Sequence, residues 1–161
     1  MLQESKTDSP AKAIGKIAVI TSEYNGTFVE GMLGAALGIL KEAGATEVEH
    51  VSVPGAFEIP VACAQLTRRD NGRPSTVICL GVIIRGETTH ADHIGVTVSR
   101  LLGQIAVETG VPVIHEVLLL ENEKQARERC LNSATNRGTE AAYTALKMAQ
   151  TMRQISNPST L

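Results

Sequence analysis

Residues 76–90 read TVICLGVII followed by RGETTH. The first part is apolar almost throughout and rich in β-branched side chains, which is typical of a strand buried on both faces of a parallel sheet. The second part is polar and leads into a segment of helical periodicity. Parallel sheets bind ligands beyond the carboxyl ends of their strands, so a strand that ends in this way predicts a ligand-binding loop.

Three further apolar runs have the length of strands. They are KIAVIT (16–21), VEHVSV (48–53) and VPVIHEVLL (111–119). The segments between the runs carry apolar residues at helical spacing, and we expect helices over 27–44, 57–68 and 91–110, with two more after the fourth strand. Thr27 and Glu30 could form a capping box at the start of the first helix.

Strands that alternate with helices of this length predict right-handed crossovers and a parallel sheet. We therefore expect an α/β fold, a three-layer sandwich built on a flavodoxin-like four-stranded parallel sheet with helices on both faces. The chain has 161 residues, of which 43% are apolar, and this favours one domain. That domain is expected over 16–154, with a flexible N-terminal arm at 1–15 and a C-terminal tail at 155–161.

The composition narrows the choice of partners. The formal net charge is −2 and the basic residues are spread along the chain, so neither nucleic acid nor a membrane surface is expected as a partner. Cys63, Cys79 and Cys130 are odd in number and widely spaced, which favours reduced thiols. With no apolar run long enough for a signal peptide or a membrane span, the cytoplasm is the expected compartment.

Two readings of the RGETTH loop stay open at this point. The N–H groups of Glu87, Thr88 and Thr89, at the start of a helix, would attract phosphate, and Gly86 would let the chain turn sharply. The alternative is an ordinary turn between strand and helix, capped by threonine. No G-x-G-x-x-G or Walker pattern occurs, so dinucleotide and ATP binding have little support.

His90 suits proton transfer, since imidazole titrates near neutral pH, although a solvated surface histidine would look the same. His90 and His93 could share a helix face and bind metal, but no cysteine or carboxylate at recognisable spacing completes a ligand set. No metal site is therefore expected, and His93 is interpreted as structural.

The other candidate binding residues also have simple structural interpretations. Glu58 could accept hydrogen bonds from a polyhydroxylated ligand or only complement a helix dipole. Tyr24 could stack on a ligand or pack ahead of the first helix. Arg127 and Arg129 lie two apart on a short helix, so they point to different faces and only one is expected to approach the sheet edge.

Four stretches together resemble the lumazine synthase family of riboflavin biosynthesis. They are VPGAFEIP (53–60), CLGVIIRGETTHADH (79–93), GVPVIHEVLLLENEKQARERC (110–130) and NRGTEAAYTALKMA (136–149). The similarity runs from about Ile17 to Met152 in unbroken order. It implies a transferase that condenses 5-amino-6-(D-ribitylamino)uracil with 3,4-dihydroxy-2-butanone 4-phosphate to 6,7-dimethyl-8-ribityllumazine, phosphate and water, without metal or organic cofactor.

The resemblance also implies roles for individual residues. His90 matches the family's proton-transfer histidine, and Arg129 matches its phosphate-binding arginine. The positions that match substrate contacts are Tyr24, which stacks on the pyrimidine; Ala56, Phe57 and Glu58, with Glu58 on the ribityl hydroxyls; Val82, Ile83 and Ile84, which read the ring through backbone groups; and Glu87 and Thr88 in the phosphate loop.

Some positions depart from the family pattern. His115 stands where the family usually has a phenylalanine that the neighbouring subunit donates to the ring pocket. Glu23 replaces a basic residue, Ala91 replaces an aromatic, and Glu116 follows His115 in place of a glycine. Arg137 takes the place of the usual lysine and keeps its charge. These departures put substrate affinity in question more than the type of reaction.

In the family the site lies between subunits, so the resemblance implies a homo-oligomer, either a pentamer or twelve pentamers in a 60-subunit icosahedral shell, with riboflavin synthase as a possible partner. The short turn NSATNRG (132–138) favours the shell. The alternative function is a flavin-binding or shell-forming relative without turnover, and a flavodoxin-like electron carrier ranks last.

Overall fold

Strands and helices alternate along the chain in the computed structural model, which describes residues 10–157. The strands are β1 (Ile17–Ser22), β2 (Val48–Val53), β3 (Thr76–Ile84) and β4 (Val113–Leu120). The helices are α1 (Gly26–Glu42), α2 (Ile59–Thr67), α3 (His90–Thr109), α4 (Glu123–Cys130) and α5 (Arg137–Ser156), and a 3₁₀ turn at Ala56–Glu58 precedes α2. Residues 1–9 of the predicted arm and 158–161 of the predicted tail lie outside the described residues.

All strand pairs are parallel and the sheet order is β2-β1-β3-β4. Helices α1, α4 and α5 cover one face of the sheet, and α2 and α3 cover the other, each over its own cluster of buried apolar side chains. The α/β three-layer prediction is confirmed, and the predicted strands differ from the observed ones by at most two residues. Across residues 10–157, no helix has the combined length and apolarity that a bilayer crossing requires.

Strand β3 is longer than its neighbour β1, and this difference creates the space for a site. The pairing between them runs from Ile17 with Thr76 to Thr21 with Leu80. Residues 81–84 of β3 therefore continue past the end of the pairing with β1, although they stay paired with β4. Their outer edge faces the loops that follow β1 and β2.

The first helix begins differently from the prediction. Asn25, not Thr27, is the residue before the first turn, and it has a φ of 57° without a side-chain bond to the helix. Its amide Nδ2 instead donates to the Val82 carbonyl at 2.8 Å. The predicted capping box was wrong because α1 begins directly after Asn25, a residue type that tolerates the left-handed conformation. The Asn25 side chain ties the β1–α1 loop to the end of β3.

Helices α1 and α5 pass each other at a glycine. A methyl group on Gly138 would lie 1.9 Å from the backbone oxygen of Met32, which leaves no room for any side chain. Asn136 holds this crossing from the other side, since its Nδ2 donates to the Cys130 carbonyl at 2.6 Å and to that of Gly31 at 3.3 Å. The neighbour of Gly138 is backbone, so it cannot move without moving α1.

We expect Gly138→Ala to lower the free energy of unfolding by about 3 kcal/mol, because the added methyl group overpacks two helix backbones. The control is Gly38→Ala, at an exposed position of α1 where a methyl group meets nothing within 4 Å. This variant should be neutral or more stable by up to about 1 kcal/mol. Urea denaturation measures both, and equal stability of the two variants would contradict the described crossing.

Candidate active site

A cavity of about 740 Å³ opens at the carboxyl ends of the strands. Three segments surround it: the β1–α1 loop, the loop and 3₁₀ turn before α2, and the stretch from the end of β3 into α3. Its lining residues are Tyr24, Asn25, Gly55, Ala56, Phe57, Glu58, Val82, Ile83, Ile84, Gly86, Thr88, His90, Ala91, His93, Ile94 and Thr97. Nine of the residues predicted for the site from the sequence are therefore together at one opening.

Tyr24 and Glu58 stand on one wall of the cavity. The Tyr24 N–H donates to the Pro54 carbonyl at 3.2 Å, and the Glu58 N–H donates to the Gly55 carbonyl at 3.2 Å. These backbone hydrogen bonds fix the positions from which the side chains of Tyr24 and Glu58 extend. Tyr24 is 74% exposed and Phe57 is 55% exposed, so two of the chain's few aromatic residues are accessible from the cavity.

The end of β3 forms the back of the cavity. Backbone groups of successive strand residues point to opposite edges, so Val82 and Ile84 direct theirs towards the β1 side and Ile83 directs its own towards β4. The Val82 carbonyl already accepts from Asn25. The edge beyond β1 is the part of the strand where polar backbone groups can meet a planar ring.

The loop at 86–89 and the first residue of α3 close the cavity on the other side. Within the part of the chain that the structure describes, the N–H groups of Glu87, Thr88 and Thr89 donate to no protein acceptor. Thr88 lines the cavity, whereas Glu87 does not. The His90 N–H donates to Thr88 Oγ1 at 3.4 Å, whereas Thr89, the residue before α3, makes no side-chain cap bond. Threonine capping is thus limited to this one long contact, and phosphate binding by the loop stays a prediction.

Gly86 does not have the role predicted for it. Its φ is outside the left-handed region, and a methyl group there would meet nothing within 4 Å. The turn itself would accept another residue. The space above Gly86 is open cavity, so a small residue at this position keeps room for a ligand.

Arg85 fixes the start of this loop. Its Nη1 donates to Asp92 Oδ2 at 2.6 Å and its Nε donates to Glu121 Oε1 at 2.8 Å. Its own N–H donates to the Leu120 carbonyl at 2.8 Å. One arginine thus joins the ends of β3 and β4 to the first turn of α3, and the two carboxylates hold its charge away from the cavity.

The sequence prediction missed several residues of the cavity. His93, interpreted as structural, lines it together with Ile94 and Thr97. These residues lie three, four and seven positions after His90, on one face of α3, so helical periodicity could have found them. Asn25 could not be found in this way, because its position depends on the distant carbonyl of Val82.

Arg129 does not reach this cavity. It lines a second one of about 540 Å³, together with Leu120, Asn122, Lys124, Gln125 and Glu128. Arg127, on the same helix, lies 6.0 Å from the centre of the Phe28 ring and 3.9 Å from Glu123. The two arginines thus face different ways, as their spacing predicted.

His115 lies away from the first cavity as well. Its Nδ1 accepts from the Val117 N–H at 3.3 Å, so Nε2 carries the proton and donates to Ser99 Oγ at 2.7 Å. Ser99 Oγ in turn donates a hydrogen bond to the Gly95 carbonyl at 2.8 Å. Partial burial lowers the pKa of the imidazole, so the ring is neutral and held in one orientation.

Glu116 and Arg137 form a pair behind the sheet. Arg137 Nε and one Nη donate to the two carboxylate oxygens of Glu116 at 3.1 and 3.2 Å, and Arg137 also pairs with Glu140. Burial raises the pKa of Glu116, and the charge of Arg137 opposes that rise. The pair ties the start of α5 to β4. Among residues 10–157, no group of three or more histidine, cysteine or acidic side chains is arranged to hold a metal ion.

Fold and site define a small α/β protein with an open cavity at the carboxyl edge of a parallel sheet, between an aromatic and acidic wall and a helix N-terminus with a histidine. The family model of 6,7-dimethyl-8-ribityllumazine synthase matches residues 15–153. The 6,7-dimethyl-8-ribityllumazine synthase of Kineococcus radiotolerans is 38% identical over 143 residues, which are 88% of this chain and 87% of that protein. The chain belongs to this family, and the predicted family, transferase class and riboflavin-pathway condensation are confirmed.

Two solved structures show a weak likeness. They are a GDP-L-fucose synthetase of Naegleria fowleri bound to NADP and a second crystal structure of a GDP-L-fucose synthetase from that organism. Each has a TM-score of 0.44 and 16% identity, and the match covers 99% of this chain but only 50% and 49% of the respective structures. These likenesses carry no argument about function.

We expect Arg85→Met to speed amide hydrogen exchange about tenfold at Asp92 and His93, whose N–H groups donate to the Thr89 carbonyl, since the first turn of α3 loses its link to the ends of β3 and β4. The control is Arg68→Met, which removes the exposed pair with Glu108 at 3.2 Å, outside the cavity. Mass spectrometry of peptides over 80–95 measures the difference. Unchanged exchange in the Arg85 variant would show that this turn is held by other contacts.

Proposed function

We propose that this protein carries out the condensation in the first cavity, with the second cavity of another copy completing it. One observation carries the proposal: Tyr24, Glu58 and His90 surround a single opening beside the N–H groups of residues 87–89, which have no acceptor among residues 10–157. A stacking face, a hydroxyl acceptor, a proton carrier and an anion site are what the two substrates require.

The ribitylaminouracil lies against the Tyr24 ring and the end of β3. Its planar ring meets backbone groups of Val82 and Ile84 along the edge that β1 leaves open, and Ile83 lines the same cavity between them. The polyhydroxylated chain extends towards Ala56, Phe57 and Glu58, where the Glu58 carboxylate accepts from hydroxyl groups. A ligand held at both ends in this way is oriented for attack.

The phosphate of the second substrate binds at the start of α3. The N–H groups of Glu87 and Thr88 point to the anion, and the N-terminal dipole of a 20-residue helix adds to the attraction. Arg129 faces a different cavity of its own chain, so a second copy supplies it. His115 comes from that copy too, as a neutral ring fixed by Ser99.

His90 moves protons between the reacting groups. The amine of the uracil attacks the ketone carbon, and the carbinolamine loses water to form an imine. Removal of a carbon-bound proton then expels phosphate, and the enol that remains becomes a ketone. The ribityl-bearing nitrogen attacks this ketone carbon to close the ring, and its hydroxyl group leaves as a second water. Imidazole can accept and return these protons near neutral pH, and most of the remaining rate comes from holding both substrates together.

The protein works as a homo-oligomer, either a pentamer or twelve pentamers in a shell. Exposed apolar side chains on α2 and α3 support an assembly, since Val61, Val96 and Val107 are 63%, 69% and 86% exposed. Riboflavin synthase is a candidate partner inside a shell. The three free cysteines are buried, which fits reduced thiols and work in the cytoplasm.

Replacement of the histidine tests the chemistry. We expect His90→Ala to lower kcat about 100-fold or more, because general acid–base catalysis is lost while both substrates still bind. The control is His50→Gln, outside the cavity, where the ring bonds Thr21 at 2.8 Å. Lumazine fluorescence and phosphate release, followed together, measure turnover. Near-normal turnover of the His90 variant would exclude it as the proton carrier.

Mixing of two variants tests whether the site is shared between copies. We expect Arg129→Ala to raise the KM of the phosphate substrate, and His90→Ala to abolish turnover. If the residues come from different copies, about a quarter of the sites in a randomly mixed oligomer are intact. Co-expressed subunits with two different tags, purified over both, should therefore be more active at low substrate than either variant alone. No gain on mixing would place both residues in one copy.

A further inference from the structure

Gly55, in the loop before α2, is buried directly beneath the side chains of Tyr24 and Glu58. A methyl group on Gly55 would lie 2.8 Å from Glu58 Oε2 and 3.4 Å from Cδ2 of the Tyr24 ring. The first distance is shorter than carbon and oxygen atoms tolerate. The carboxylate and the ring thus occupy the volume that a side chain at 55 would fill.

The backbone around Gly55 cannot give way easily. The Glu23 N–H donates to the Val53 carbonyl at 2.9 Å, the Tyr24 N–H donates to that of Pro54, and the Glu58 N–H donates to that of Gly55 itself. Pro54 has a fixed φ, which further limits the loop. The side chains of Tyr24 and Glu58 end in solvent-facing groups, so they are the parts that move when space is lost.

From this geometry we propose that Gly55 is a positioning residue, which sets the place of the Glu58 carboxylate and the Tyr24 ring through the absence of a side chain. The inference rests on the proposed function, in which these two groups hold the ribitylaminouracil. Gly55 contacts no reacting atom in this account. Its effect falls on the affinity for the polyhydroxylated substrate, and neither the phosphate site nor His90 depends on it.

The expected result is a selective change in KM. Gly55→Ala should raise the KM for the ribitylaminouracil about tenfold, since a displaced carboxylate loses its hydrogen bonds to hydroxyl groups. The kcat and the KM for the phosphate substrate should stay within about twofold. Gly34→Ala is the matched control, because a methyl group there meets nothing within 4 Å. An unchanged KM for the uracil substrate in Gly55→Ala would overturn the proposal.

A double variant separates this proposal from the proposed function. Gly55→Ala in a Glu58→Ala background should add less than about threefold to the KM, because the displaced group is already gone. If Gly55→Ala adds its full effect there, the pathway through Glu58 is wrong. If Glu58→Ala alone leaves the KM unchanged, the binding role of Glu58 in the proposed function is wrong instead.

A shorter carboxylate gives a further test that does not depend on loss of function. In Gly55→Ala/Glu58→Asp the acid is withdrawn from the added methyl group, so the melting temperature and the oligomer should equal those of Glu58→Asp alone. A double variant with a lower melting temperature than Glu58→Asp alone would overturn the proposal, because the methyl group would then collide with the backbone and not with the carboxylate.

Discussion

The hydrogen bond from Asn25 Nδ2 to the Val82 carbonyl is the contact on which the cavity depends. It joins two segments separated by 57 residues in sequence, at the point where β3 continues past β1. Without it, the loop that carries Tyr24 would keep its backbone bonds to Val53 and Pro54 but would lose its direct link to the end of β3. The left-handed backbone of Asn25 makes the bond possible, since it starts α1 and aims the amide at the same time.

Three arginines near the site differ in the groups that they contact. Arg85 is held by two carboxylates and ties the loop to the sheet, while Arg127 lies over the Phe28 ring. Arg129 lines the second cavity together with Lys124, and the proposed function gives it the phosphate of the substrate. These contacts explain why three arginines near the carboxyl edge have different roles although each has the same charge.

Two departures from the family pattern, Glu116 and Arg137, contact each other. Glu116, where the family has glycine, meets Arg137, where the family has lysine, and the guanidinium matches the carboxylate with two parallel bonds. A lone buried carboxylate would be costly, so the two changes belong together. His115 is explained in part by Ser99, whose hydroxyl orients the imidazole. Nothing in the structure explains Ala91.

The sequence by itself determined the order of strands and helices, the parallel sheet and the family, because hydrophobic periodicity and short motifs are local properties of the chain. It also placed nine site residues at one edge of the sheet, on the end of β3 and in the segments that follow the strands, since parallel strands end together. Tertiary structure alone decided that Asn25 bonds Val82, that Gly55 lies under Glu58, and that Arg129 faces away from His90. These relations join residues from separate elements, and their distances depend on how helices pack on the sheet.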